Sequence, residues 1–345
     1  MALTVGMKPG AHEILASMGE TRSRRHAGRS VLGVWSHCLL TLLSAGISVE
    51  AVLAQQLPHR LTDGLPDLRT EAVLSADNEA HARGRALLAA AAKRQGYDAW
   101  LQHETFEVIG LDRWRRILWW PQSEQRLRVQ LLTGTFTSRV ELLDGPAAGE
   151  YWGIQSWAPY RQKAAGSDVE FFDEPNGTHE FYLPALHYLA ELPFRLLEAS
   201  VVIDAGPASV DGMEYHRVFA SWGTLEPNET VDQYVVWIGR RSGLVEKAHF
   251  TLRDITAYSP AEQRARLLAS SVSTIHYEDF REIDGVAVPF VYTITRFGPE
   301  QAKMPLDQEF LHRFEAENAR FDAFDRTLLI PDSSRRAPAD SKPAR

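Results

Sequence analysis

Tyr234-Val235-Val236-Trp237-Ile238-Gly239-Arg240-Arg241-Ser242-Gly243-Leu244-Val245 decides the fold class of this chain. A run of β-branched and aromatic residues meets a Gly-containing polar break and then returns to apolar residues, which predicts a strand, a tight turn and a second strand. Alternation puts Tyr234, Val236 and Ile238 on one side of the first strand and Val235 and Trp237 on the other. Both faces of that strand therefore need cover.

The same grammar repeats outward. Asp144-Gly145, Asp211-Gly212 and Asp284-Gly285 each sit between apolar-rich runs, and Asp-Gly readily supplies the positive backbone angles of a hairpin turn. Strands are predicted near 102–110, 113–120, 125–133, 135–143, 150–158, 213–222, 231–239, 244–253, 270–281 and 286–297. This is a meander, without the strand–helix alternation of a parallel sheet. Val286-Ala287-Val288-Pro289-Phe290-Val291-Tyr292 is again apolar on both faces. The second cover could be another sheet or a bound apolar ligand.

Two helical stretches interrupt the strands. Residues 71–95 are Ala-rich, with Leu87, Leu88, Ala91 and Ala92 at helical spacing and Gln95-Gly96 as the stop. His179 to Leu197 carries Phe181, Leu186, Leu189, Ala190 and Leu197 near a 3.6 period, interrupted by Pro184 and Pro193. Residues 308–330 fit both a helical stripe through Phe310, Phe314, Phe321 and Phe324 and an alternating pattern; a final strand is the preferred reading. Residues 331–345, rich in Pro, Ser and charge, are expected to be a disordered tail. One domain is expected over 71–330, after a polar lead-in at 55–70, and no internal repeat is evident.

The first 54 residues differ in texture. Arg22, Arg24, Arg25 and Arg29 precede an apolar run containing Cys38-Leu39-Leu40-Thr41-Leu42-Leu43, and Val52-Leu53-Ala54 supplies small residues ahead of Gln55. This reads as a signal peptide cleaved after Ala54, which predicts an exported and periplasmic protein. The alternative, a membrane anchor, is disfavoured because Glu50 and the Ser/Gly interruptions leave fewer than the ~20 apolar residues a span needs.

Cleavage would remove 5 of 37 Lys and Arg and 3 of 45 Asp and Glu, leaving 32 against 42 and a net charge of −10. An acidic chain of this kind argues against nucleic acid, which demands basic stripes. The single cysteine, Cys38, would leave with the signal. No disulfide, thiolate nucleophile or zinc-thiolate site is then available.

Residues 234–245 resemble a strand-turn-strand unit of the LolA/LolB-like superfamily of periplasmic lipoprotein carriers. Tyr277-Glu278-Asp279-Phe280-Arg281-Glu282-Ile283-Asp284-Gly285-Val286-Ala287-Val288-Pro289 looks like a later hairpin of those proteins, and Asn318-Ala319-Arg320-Phe321 with Leu329-Ile330-Pro331 resembles their closing strand and its exit. The likeness runs in outline over residues 79–331. It implies a mainly β (α+β) fold: a strongly curved antiparallel sheet forming an incomplete barrel, with an N-terminal helix and a central helical segment covering the concave face. It also implies an apolar cavity for a lipid or acyl chain, with an envelope lipoprotein or a membrane surface as partner.

Large rigid apolar side chains suit such a cavity. Trp119, Trp152, Trp157, Phe181, Tyr188, Phe194, Trp222 and Trp237 are the candidate ligand-binding residues; for each, a place in the core is the competing reading. Trp119-Trp120-Pro121, beside a predicted turn, could alternatively dip into a bilayer. No cofactor and no metal are expected, and the enzyme case is thin. G-x-S-x-G, H-E-x-x-H and P-loop motifs are absent. His179, Glu180 and His187 could approach one another only on a regular helix, which Pro184 interrupts. His249, His276, Glu278 and Asp279 could group across strands, as could surface residues by chance. Three functions remain: a lipid or acyl-chain carrier, an envelope interaction or sensor module of the same fold, and a cleft hydrolase or isomerase.

Overall fold

The computed structural model describes residues 60–115, 123–155, 158–172, 183, 186–187, 190–253, 272–296 and 310–332. The chain opens with a small hairpin, β1 (Arg60–Thr62) and β2 (Leu65–Asp67). Helices α1 (Glu71–Leu74), α2 (Asn78–Gln95) and α3 (Tyr97–Trp100) follow. The first meander holds β3 (Thr105–Trp114), β4 (Ser123–Leu132), β5 (Ser138–Leu142), β6 (Tyr151–Gln155), β7 (Ala158–Gln162) and β8 (Val169–Phe171). Residues 190–195 are helical and run into a 3-10 turn, Leu196–Glu198. The second meander holds β9 (Val201–Val210), β10 (Met213–Ser221), β11 (Gln233–Gly239), β12 (Val245–Thr251), β13 (Val272–Ile283) and β14 (Val286–Arg296), and β15 (His312–Phe321) closes the sheet.

β3 to β15 form one 13-stranded sheet in the order 8-7-6-5-4-3-15-14-13-12-11-10-9, antiparallel throughout. The sheet is curved and not closed into a barrel, so β8 and β9 are its edges. The final strand of the sequence sits mid-sheet between β3 and β14.

Two of the expected Asp-Gly turns are tight hairpin turns, whereas Asp144-Gly145 lies in the longer connection between β5 and β6, with only Gly145 at positive φ. Asp211 and Gly212 have φ of 52° and 76°, and Asp284 and Gly285 have 48° and 81°, the doubly positive geometry that matches strand twist. Gly96 ends α2 in the left-handed region. The expected single helix over 71–95 is two: Asp77 breaks it by accepting the Ala80 amide as an N-cap at 2.8 Å.

Three strand expectations are corrected. The break expected between 110 and 113 does not occur, because Asp112 is buried and bonded within one continuous β3. The strand expected over 150–158 is two, β6 and β7. β8 and β9 were not anticipated; β9 carries Gly206-Pro207, which reads as a turn but is tolerated on an edge strand. The lead-in is also structured: Asp63-Gly64 (φ 53° and 78°) turns the β1–β2 hairpin.

The inner face carries the larger core. Val218, Tyr234, Val236, Ala248, Ile275, Ile294, Leu127 and Val129 from the sheet pack with Leu88 and Ala91 of α2 and with Leu183, Leu186, Leu192 and Leu196 of the central segment. α2 reaches this face by crossing edge strand β9. Gly84 permits the crossing: a Cβ there would lie 2.5 Å from the Asp204 amide nitrogen and from the Ile203 carbonyl carbon. The helix thus shields an open edge that would otherwise recruit another strand.

The outer face of β9–β11 has a cover of its own. Val235, Trp237, Tyr215 and Phe219 cluster with Leu68 and Val73 from the lead-in and α1. Hydrogen bonds fasten that cover, including Leu68 N–H to Gln233 Oε1 (2.9 Å) and Thr70 Oγ1 to the Ala205 carbonyl (3.1 Å). The second apolar face is therefore met neither by a sheet nor by a ligand but by the chain's own N-terminal segment.

Candidate functional site

The inner face holds an apolar cavity of about 40 Å³ where α2, the 190–195 helix and strands β3, β14 and β15 converge. Trp100, Phe106, Phe194, Tyr292 and Phe314 wall it, and Gln95 at the end of α2 contributes the one amide side chain. The aromatic wall is continuous: Trp100 lies 5.3 Å from Phe194 and 5.5 Å from Phe106 between ring centroids. Tyr97 lies 5.4 Å from Phe194. Such a volume suits a water molecule or two, against roughly 300–1,000 Å³ for an ordinary ligand pocket.

Beside the cavity, the same face carries a buried polar group. His312 belongs to a cross-strand row with Trp114, Ile294, Ile275, Ala248 and Val236. Its Nε2 faces Asp112 Oδ1 at 2.5 Å, and the Trp114 indole N–H donates to Asp112 Oδ2 at 2.8 Å. Trp114 stacks on the imidazole at 4.0 Å. Burial, with Asp112 and Tyr277 adding to it, pushes the Tyr292 hydroxyl well above its ordinary value. It stays protonated.

A second polar cluster fastens the helical cover. Glu191, 1% exposed, accepts the Gly134 amide (2.8 Å) and Arg195 Nε (2.7 Å), and His187 Nε2 lies 3.3 Å away. Burial pushes the Glu191 carboxyl up, but His187, Arg195 and the Gly134 amide outweigh it and hold the group below the usual range. Arg195 also donates to the Thr135 carbonyl and lies 4.2 Å over Phe136. The cover is thus tied to the β4–β5 turn by charge and to the sheet by Leu and Ala side chains.

Of the candidate ligand-binding residues, Phe194 lines the cavity. Trp152 and Trp222 are partly buried against the inner core, Trp222 edge-on to Tyr234 at 5.7 Å. Trp237 is on the outer face, 5.5 Å from Tyr215 and 4.2 Å beneath Lys247 Nζ. The structure does not bring it together with the others: Val236 alternates inward and Trp237 outward. Trp119, Trp157, Phe181 and Tyr188 lie outside the described residues, as do Trp120, His179 and Glu180.

Of the group that His249, His276, Glu278 and Asp279 could form, the two histidines do come together: burial, with Lys247 and His276 adding to it, pushes the His249 imidazole well down. Asp279 is held by Arg281 at 2.6 Å, His249 Nδ1 faces Thr274 Oγ1 at 2.7 Å, and His276 stands opposite Lys247. Among the described residues no three His, Cys, Asp or Glu side chains are placed to hold a metal ion. The sequence reading missed Asp112, Gln95, Glu191 and His312. Asp112 alone carried a usable signal, as a carboxylate within an otherwise strand-like run.

No family model matches the chain and no curated protein does. Among solved structures it is similar to a DUF1329 family protein from Desulfovibrio piger, at 12% identity and a TM-score of 0.48 over 73% of this chain and 98% of that one. It is also similar to a domain from Vibrio parahaemolyticus assigned to outer membrane lipoprotein sorting (10%, 0.47, 72% and 97%). A LolA superfamily protein from Nitrosomonas europaea is a third (12%, 0.42, 71% and 96%). With TM-scores below 0.5, the reading of this chain rests on its own residues.

Proposed function

We propose that the protein is an exported, non-catalytic carrier that binds a lipid or acyl chain between its sheet and its helical cover. One observation carries this reading. The cover meets the inner face through Leu88, Ala91, Leu186, Leu192 and Phe194, and an apolar cavity lies where Phe194 and Ala190 face Trp100, Phe106 and β14. A helix held over a sheet by aliphatic contacts can be lifted by a ligand that replaces those contacts. Each buried methylene returns about 0.8 kcal/mol. A chain of several methylenes therefore offsets the loss without any fixed polar contact, provided that the Glu191 cluster yields or pivots.

The acidic balance agrees with a partner other than nucleic acid. The second reading is an envelope interaction or sensor module, and the small volume of the cavity among the described residues favours it.

The test is native mass spectrometry, with organic extraction, of the chain from Gln55 onward purified from the periplasm. Stoichiometric lipid supports the carrier and identifies its cargo. An empty protein that also rejects fluorescent fatty-acyl probes overturns the carrier reading in favour of the interaction module.

A further inference from the structure

Two buried polar atoms on the inner face lack a hydrogen-bond partner among the described residues: Gln95 Oε1 and His312 Nδ1. Gln95 is 3% exposed and lines the cavity. His312 presents Nε2 to Asp112; with the proton on that nitrogen, Nδ1 is left as a lone-pair acceptor. One wall joins the two. Tyr292 and Phe314 line the cavity with Gln95, and the Tyr292 ring lies 5.5 Å from that of His312 and 5.3 Å from that of Phe314.

A buried acceptor without a donor costs about 1–3 kcal/mol. The cavity has room for a water that satisfies Gln95, and an entering chain must displace it. A plain alkyl chain would then strand the amide. A chain bearing a hydroxyl would not, because a hydroxyl both donates and accepts and so pairs with the amide in either of its orientations. Sites built around a buried hydrogen bond discriminate strongly against analogues that lack it. Apolar walls with one or two convergent polar groups are the ordinary composition of such a site.

Resting on the carrier reading above, we infer that Gln95 selects acyl chains that carry a hydroxyl group. His312 Nδ1 offers a second acceptor further along the same wall. Gln95 Oε1 is not used elsewhere: it has no hydrogen-bond partner among the described residues, and the backbone of α2 ends on Gly96 without its help. Burial of an amide in an aromatic pocket is otherwise a cost without a return.

The test displaces a fluorescent fatty-acyl probe from the purified chain with β-hydroxymyristic acid and with myristic acid, in wild type and in Gln95→Leu. Gln95→Met, an unbranched replacement, serves if Gln95→Leu does not fold. Wild type should prefer the hydroxy acid by about tenfold or more, the 1.4 kcal/mol equivalent of one hydrogen bond. The variant should lose that preference by losing affinity for the hydroxy acid, with myristic acid bound as well or better. Equal affinities in wild type, or a preference that survives in the variants, overturns the inference and leaves the carrier reading intact. A wild-type protein that binds neither the probe nor either acid overturns both.

Discussion

His312 and Asp112 face each other across the central strand pair of the sheet, Nε2 to Oδ1 at 2.5 Å, although they stand 200 positions apart in the chain. Trp114 closes the group by donating to the same carboxylate and stacking on the ring. Their packing ties the first meander to the closing strand.

Breaking that pair should be expensive. Asp112→Leu or His312→Leu alone should each cost about 3 kcal/mol, since one partner is left buried without its counterpart. Replacing both with apolar residues should cost less than the two single changes summed. Urea unfolding of the four proteins of the cycle measures this. A single-variant loss below about 1 kcal/mol would show that the pair is not a structural fastener.

Glu191 should act on the cover and not only on stability. Glu191→Gln removes the charge that Arg195 and His187 share, and the 190–195 helix should then separate from the β4–β5 turn more readily. Amide exchange in residues 190–197 should quicken at least about tenfold while the β13–β14 amides stay protected. Uniform acceleration across the sheet would instead mark a global effect.

Acid should unfold the protein in two stages of opposite visibility in the variants. Burial pushes the His276 imidazole down, helped by Lys247, to about 4 from 6.5. The unfolded chain therefore takes that proton first, and stability falls as pH drops from about 6.5 to about 4; His276→Gln should flatten this limb by about 3 kcal/mol. Asp67 is raised by burial, but hydrogen bonds from Arg69, Thr62 and Arg60 outweigh that and bring it to about 2 from 3.8. Its contribution, about 2 kcal/mol, is complete above about pH 4 and lost as pH falls through about 2. Asp67→Asn should weaken the protein at neutral pH and match wild type near pH 2. Urea midpoints across that range decide both.

Gly84→Ala should destabilise, although Ala in a helix interior is ordinarily favoured by about 1 kcal/mol. The new methyl meets the backbone of Ile203 and Asp204, which has no side chain to move aside. A net loss of about 1–3 kcal/mol is expected. A raised melting temperature would mean that α2 does not press on β9 as closely as drawn.

Much of this fold was legible because its signals are local. Asp211-Gly212 and Asp284-Gly285 announce their own backbone angles, and Tyr234 to Ile238 announces a strand with two buried faces. Gly96 announces the end of α2. What stayed hidden depends on residues far apart in the chain. Asp112 falls between the strands expected over 102–110 and 113–120, and what buries it there is His312, far along the chain; β9 carries no expectation, and its Pro207 is acceptable only at an edge. Trp237 was grouped with the pocket aromatics because composition does not say which face a lead-in segment will cover. Gln95 and Glu191 gave no local sign at all: an amide or a carboxylate in a helix is unremarkable until its surroundings are known.

The position of β15 has a consequence for how the molecule comes into being. β3 pairs with β4 and β14 with β13 through short connections, so each meander can form from neighbouring residues. Neither can be joined to the other until His312–Phe321 is available, since that strand alone lies between them. A chain interrupted before Leu311 would carry four bare strand edges where the finished sheet has two, with β3 and β14 among them. Such edges invite pairing with foreign strands. The last segment thus works as a keystone, and its late arrival makes the incomplete chain the form most prone to aggregate.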